Sequence, residues 1–172
     1  MPSPEKLAHV VLRTGRVQEM TDWYLQLLDG KVAFANPMIA FITYDEEHHR
    51  LAFLATGASE PPEDRHTGLH HVAFTYSSLR GLLDNYLRLK DQGLLPFWCV
   101  NHGPTLSMYY RDPDGNQIEL QIDSMTNEET QDFITSEAFA ANPVGITFEP
   151  EALIERFDAG ESFAELVRWP SA

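Results

Sequence analysis

One short phrase occurs twice in this chain, and it constrains the fold more than any other feature. Leu7-Ala8-His9-Val10-Val11-Leu12 returns as Leu69-His70-His71-Val72-Ala73-Phe74, 71 − 9 = 62 residues later. At the same offset Asp22 meets Asp84, Tyr24 meets Tyr86, Leu25 meets Leu87 and Leu27 meets Leu89. A fixed internal offset marks a duplicated supersecondary unit. Histidines kept at one point of both copies take symmetric places in a paired sheet. Two such imidazoles can converge on one metal ion if a third ligand joins them.

Each copy reads as the same string of elements. Leu7–Arg13 is β-branched and apolar, so the first copy opens on a buried strand. Val17, Met20, Tyr24, Leu27 and Leu28 fall at helical spacing, which predicts a helix from about residue 16 that Gly30 ends. Val32–Ala35, Met38–Tyr44 and Leu51–Ala55 are strands, divided by Asn36-Pro37 and the polar Asp45–His49 turn. The second copy follows an acidic, proline-bearing linker at Ala58–Thr67. It runs from strand His70–Tyr76 to a helix marked by Leu79, Leu82, Leu83, Tyr86, Leu87 and Leu89, which Gly93 ends. Strands Leu95–Val100, Leu106–Tyr110 and Gln117–Ile122 complete it, with a turn at Asp112–Asn116. The fold class is α+β, with two tandem βαβββ modules (6–56 and 69–123) in one domain spanning 1–126. Residues 127–172 form a tail outside the repeat. Asn127–Ala138 and Pro150–Phe157 read as its helices, with Asn127 as a cap. The tail packs on the sheet or covers a subunit interface.

Charge and cysteine usage remove several function classes. A formal net charge of −14 argues against nucleic acid or an anionic membrane surface as partner. The single Cys99 excludes an intramolecular disulfide framework and a cysteine metal cluster. Met1–Lys6 is polar and has no signal-peptide character. No stretch approaches the ~20 apolar residues of a membrane span. The chain reads as soluble and cytoplasmic.

Gln117-Ile118-Glu119-Leu120-Gln121 alternates, which sets Glu119 on the opposite face from Ile118 and Leu120. A strand carboxylate usually faces solvent, and a lone strand histidine is usually half-buried with an ordinary hydrogen bond. The joint occurrence changes the balance. His9, His71 and Glu119 are the ligand types of a two-histidine, one-carboxylate metal site, which leaves positions open for substrate and oxygen.

The phrases around these residues resemble the vicinal-oxygen-chelate superfamily: His9 in Leu-Ala-His-Val-Val, His71 in Leu-His-His-Val-Ala-Phe, and Glu119 in Asp-Pro-Asp-Gly-Asn-Gln-Ile-Glu-Leu. The resemblance covers roughly residues 6–123 and implies a cupped mixed sheet around one metal. It is shared by epimerases, glyoxalases, thiol transferases and dioxygenases. Setting Leu51-Ala52-Phe53 against Ile118-Glu119-Leu120 places Ala52 opposite Glu119, so the fourth pseudo-symmetric ligand position is empty. An open coordination face suits a catechol plus dioxygen. His49 resembles the acid–base histidine of extradiol dioxygenases, with His48 as the neighbour that can take its place. His102 and Tyr109 resemble the histidine and tyrosine that hydrogen-bond substrate oxygen in those enzymes.

The resemblance therefore implies a one-domain, Fe(II)-dependent extradiol dioxygenase. His9, His71 and Glu119 would hold iron, and His49, His102 and Tyr109 would be catalytic. Its substrates would be a catechol-type ring and O2. Trp98, Phe53 and Phe74 are candidate walls of an apolar pocket. A homodimer is the expected assembly. The alternatives are a metal-dependent thiol transferase resembling the fosfomycin-resistance proteins, and a non-catalytic binder resembling the bleomycin-sequestration proteins. The thiol transferase wants a basic pocket, and this chain has only 12 Lys plus Arg.

Overall fold

Both copies fold as βαβββ modules, so the chain is mixed α+β. The computed structural model describes residues 2–58, 60 and 67–169. The first copy supplies β1 (Val10–Thr14), α1 (Val17–Leu28), β2 (Lys31–Ala35), β3 (Ile39–Thr43) and β4 (Leu51–Ala55). The second supplies β5 (His71–Thr75), α2 (Leu79–Asp91), β6 (Trp98–Asn101), β7 (Thr105–Arg111) and β8 (Gln117–Asp123). The tail adds α3 (Asn127–Ile134), α4 (Glu137–Ala141), β9 (Ile146–Thr147), α5 (Pro150–Asp158) and α6 (Phe163–Leu166). One sheet runs β1-β4-β3-β2 and the other β5-β8-β7-β6-β9. Two units result: Met1–Gly68 with Asp112–Asn116, and Leu69–Arg111 with Gln117–Ala172.

The two registers repeat as closely as the sequence does. The outer pairs β1–β4 and β5–β8 are parallel, with Val11 opposite Ala52 and Ala73 opposite Glu119. Val11 and Ala73 are themselves 73 − 11 = 62 residues apart. Ala52 and Glu119 therefore occupy equivalent points, as the sequence alignment of the copies anticipates.

In the first unit α1 lays Val17, Met20, Tyr24 and Leu27 onto β3 and β4, among Ile42, Leu51 and Phe53. In the second, α2 buries Leu79, Leu82, Leu83, Tyr86 and Leu89, with Ile118 and Leu120 of β8 in the same core. Burying each large apolar side chain contributes about 1.5–3 kcal/mol. The repeat pairs Tyr24/Tyr86 and Leu27/Leu89 are the buried ones, whereas Leu87 stays exposed. The turn Asp112–Asn116 clusters with the first unit. Asp112 there accepts from Asp114 N, Asn116 N, Asn116 Nδ2 and, at 3.0 Å, from the Tyr24 hydroxyl.

Several boundaries differ from the sequence reading. β1 begins at Val10, not Leu7, and Leu7 is exposed. The reason is Arg50. Its guanidinium donates to the carbonyls of Leu7 (2.9 Å) and Ala8 (3.2 Å), where a strand partner would otherwise stand. Helix α1 ends on Asp29, which itself takes the left-handed conformation (φ 50). Gly30 serves close approach instead, since a Cβ there would lie 2.9 Å from the Thr43 carbonyl oxygen. Gly93 ends α2 as expected, at φ 80. β6 begins at Trp98 rather than Leu95, because Pro96 has no N–H to donate to a ladder.

In the tail, Thr126 is the helix cap, not Asn127, and it forms a reciprocal capping box with Glu129. The predicted helix 127–138 is broken at Ser136, which caps α4. Strand β9 and helix α6 were not anticipated. β9 pairs with β6, and Leu153, Leu166 and Val167 are buried, so the tail packs on the second sheet. Most of the linker 58–67 lies outside the described residues. No helix among the described residues is long and apolar enough to cross a membrane.

Candidate active site

Parallel pairing of β5 with β8 sets His71 opposite Gln117, two residues from the Ala73–Glu119 pair. Two residues along a strand returns to the same face, and His71 Nε2 lies 3.1 Å from Glu119 Oε2. Glu119 is only 4% exposed. The solvent-facing alternative for this carboxylate is thereby excluded. A buried carboxylate is costly unless paired, and this one has two partners. The second is Tyr109, directly opposite it on β7, whose hydroxyl lies within hydrogen-bond reach of the carboxylate. Burial, reinforced by the Glu119 charge, holds the Tyr109 phenol well above its ordinary pKa.

The chain of contacts continues outward. His102 Nε2 lies 2.9 Å from the Tyr109 hydroxyl, and His102 Nδ1 lies 2.5 Å from the Val144 carbonyl oxygen. Trp98, opposite Tyr109 in the β6–β7 register, stacks on its ring at 4.9 Å. On the other side, His70 Nδ1 approaches His71 Nδ1 at 2.8 Å. One of these nitrogens donates to the other, which turns the His71 ring so that Nε2 faces Glu119.

The first unit holds the remaining sequence-predicted residues. His9 is exposed and immediately precedes β1. Its ring lies 4.4 Å from that of His49, which stacks on Phe41 at 4.6 Å. His49 sits on the turn before β4, as expected, and its Nδ1 is 2.5 Å from His48 Nδ1. Desolvation, then the nearby His48 and His9 charges, push the His49 imidazole below its ordinary pKa, with Glu47 opposing. Phe53 is not a pocket wall. It is fully buried, with its ring 5.0 Å from Tyr24. Phe74 is half-buried on β5.

The structure thus gathers His71, Glu119, Tyr109 and His102 in the second unit, and His9 with His48 and His49 in the first. Among the described residues no group of three or more His, Cys, Asp or Glu is assembled to hold a metal ion. The His71–Glu119 pair fits two positions of such a site, since imidazole nitrogen and carboxylate oxygen suit a first-row divalent cation. Sequence reasoning missed His70 and the Val144 carbonyl. His70 is signalled by its adjacency to His71, whereas nothing in the sequence marks a backbone carbonyl in the tail.

A family model described as the Glyoxalase/Bleomycin resistance protein/Dioxygenase superfamily matches residues 6–120. Biphenyl-2,3-diol 1,2-dioxygenase 3 of Rhodococcus globerulus is 44% identical over 164 residues, covering 94% of this chain and 86% of that protein. Biphenyl-2,3-diol 1,2-dioxygenase 2 of the same organism is 44% identical over 162 residues, covering 93% and 85%. Lactoylglutathione lyase from Agrobacterium tumefaciens aligns with a TM-score of 0.58 at 15% identity, over 70% of this chain and 96% of that one. A glyoxylase/bleomycin resistance protein/dioxygenase domain from Frankia sp. aligns with a TM-score of 0.57 at 20% identity, over 70% and 99%. These last two speak for the fold alone.

Proposed function

The chain belongs to the Glyoxalase/Bleomycin resistance protein/Dioxygenase superfamily, and we propose that it is an Fe(II)-dependent extradiol dioxygenase, inserting O2 into a catechol-type ring beside its two hydroxyls. Relatives 44% identical across nearly the whole chain are named biphenyl-2,3-diol 1,2-dioxygenases, which supports the reading. The observation that carries the reading is the buried Glu119 carboxylate, paired with His71 and backed by Tyr109 and His102. A thiol transferase or a sequestering binder offers no account of that phenol–imidazole chain.

In this reading His71 and Glu119, adjacent on β5 and β8, would hold the iron, with His9 the third ligand that the resemblance implies. When bound, the ion supplies Lewis acidity that favours a catecholate over a catechol. His49 takes the hydroxyl proton and returns it to the product, a role for which a lowered imidazole pKa suits a base. Tyr109 and His102 hydrogen-bond substrate oxygen, and Trp98, stacked on Tyr109, forms the apolar wall beside it. A homodimer in the cytoplasm completes the proposal.

The test is anaerobic Fe(II) loading followed by oxygen-uptake measurement with a panel of catechols that includes biphenyl-2,3-diol. The expected result is substrate-dependent uptake with a coloured ring-fission product. Stoichiometric iron without uptake on any diol would overturn the activity. Manganese-dependent thiol transfer in its place would select the runner-up.

A further inference from the structure

We propose that the C-terminal tail is a positioning element of the active site, in which the backbone carbonyl of Val144 fixes the tautomer of His102. The proposal rests on the reading of Tyr109 and His102 above, but its decisive measurement is independent of activity.

A carbonyl oxygen can only accept. With His102 Nδ1 at 2.5 Å from Val144 O, Nδ1 must carry a proton. In the neutral ring Nε2 is then a lone pair, and it faces the Tyr109 hydroxyl at 2.9 Å. Tyr109 has one proton and two acceptors within reach, Nε2 and the Glu119 carboxylate. An Nδ1–H tautomer draws that proton toward His102 and leaves the carboxylate oxygens free to accept. The opposite tautomer would donate to the phenol oxygen and turn its proton onto Glu119. One tail carbonyl therefore sets the direction of the whole chain.

The tail is built to hold that carbonyl still. Asn142 brackets the loop, donating from Nδ2 to Gly145 O at 2.8 Å and accepting Gly145 N–H at Oδ1 at 3.1 Å. Gly145 has φ 118, and a Cβ there would lie 2.5 Å from Asn101 O and 2.7 Å from Val100 Cγ2. Only a glycine lets the loop lie this close to β6. Ile146 and Thr147 then pair with Asn101 and Val100. A separate part of the tail packs against the residue after His102. Phe133 of α3 fills the space over Gly103, where a Cβ would come within 2.2 Å of its ring. The Val144 side chain is 58% exposed, so the residue acts through its backbone. The family model ends at residue 120, whereas the dioxygenase relatives align over more than nine-tenths of the chain. The tail is thus shared with those relatives and lies outside the general superfamily match.

The experiment is long-range 1H–15N spectroscopy of histidine rings in the metal-free full chain, with the His102 signals assigned by their loss in His102→Gln. Wild type should show Nδ1-protonated His102, and Val144→Ala, which keeps the carbonyl, should show the same. Asn142→Ala and Gly145→Ala should shift the ring toward a mixture, and Asn142→Asp should restore part of the signal. In the loaded enzyme Asn142→Ala and Gly145→Ala should lose kcat about tenfold to a hundredfold, with KM and bound iron unchanged, the size expected of a misplaced group. An Nε2-protonated ring in wild type, or an unaltered tautomer in both Asn142→Ala and Gly145→Ala, overturns the proposal. Tautomer shifts in a protein that oxidises no catechol would sustain the positioning role and sink the function reading instead.

Discussion

Replacing Glu119 by Gln separates a ligand from a structural carboxylate. Gln keeps the shape, so the change removes charge and little else. The wild-type carboxylate is 4% exposed and faces His71 Nε2 at 3.1 Å. Burying a charge is costly, and a neutral isostere of the same shape escapes that cost while keeping an acceptor. The metal-free variant should therefore melt within about 2–4 °C of wild type, the equivalent of ~1 kcal/mol in a chain of this size. Metal changes the comparison. A ligand at a hundred times its Kd stabilises the native state by ~2.7 kcal/mol, or about 5–11 °C at the same conversion. Wild type should show that rise on anaerobic Fe(II) titration, and Glu119→Gln should lose nearly all of it, as should His71→Ala. The assay is thermal denaturation with metal content measured in parallel. A full Fe(II)-induced rise in Glu119→Gln would refute the ligand assignment. A metal-free stability lowered by ~3 kcal/mol or more, the scale of a broken buried pair, would show that the carboxylate holds the fold instead.

Further outcomes follow from other contacts. His49→Ala should keep iron and lose ~10²–10⁴ in turnover while His48→Ala loses little, measured by single-turnover oxygen kinetics; the reverse pattern would move the acid–base role to His48. Tyr24→Phe deletes the hydroxyl that donates to Asp112 and should cost about 1 kcal/mol, read from the urea midpoint, where an unchanged value would deny the bond any net worth. Lys90, then Tyr86, hold the Glu151 carboxyl at about 2, below its ordinary 4.5. A depressed acid stabilises the fold above its unfolded pKa and loses that contribution as pH falls toward the folded value. Glu151→Gln should therefore flatten the fall in melting temperature between pH 5 and pH 3, and an unaltered slope would remove Glu151 from the acid response. Burial pushes the Cys99 thiol up to about 12, so it should resist Ellman's reagent at pH 8 until urea is added, and rapid native labelling would contradict its burial.

Local signals were readable and long-range ones were not. The amphipathic spacing of α1 and α2, the Gly93 stop and the Asp112–Asn116 turn each depend on a few adjacent residues, and each appears where expected. The cap on Thr126 was signalled too, since Thr126-Asn127-Glu128-Glu129 spells a capping box, but the sequence reading set it one residue late at Asn127. The late start of β1 was not, because the residue that substitutes for a strand partner is Arg50, more than forty positions away. Phe53 shows why periodicity alone misplaces a wall residue: alternation gives two faces without saying which one the helix covers. His9 and His71 were named from the repeat, whereas His49, His102 and Tyr109 were named through resemblance, and the contact between the last two is visible only in three dimensions. β9 has two residues and no pattern, so its place on β6 could not be foreseen.

The Tyr24–Asp112 bond spans 88 residues, and this matters for a chain made from one end. During translation the first copy emerges with its strands and helix complete, yet the acceptor for its buried phenol is still unsynthesised. An unsatisfied buried hydroxyl costs roughly 1–3 kcal/mol, so the first copy stays loosely closed on the ribosome until Asp112–Asn116 clears the exit tunnel. Nascent chains stalled before and after that turn should therefore differ in protease resistance within Val17–Leu28. Equal resistance would mean that the early copy closes without waiting for its distant partner.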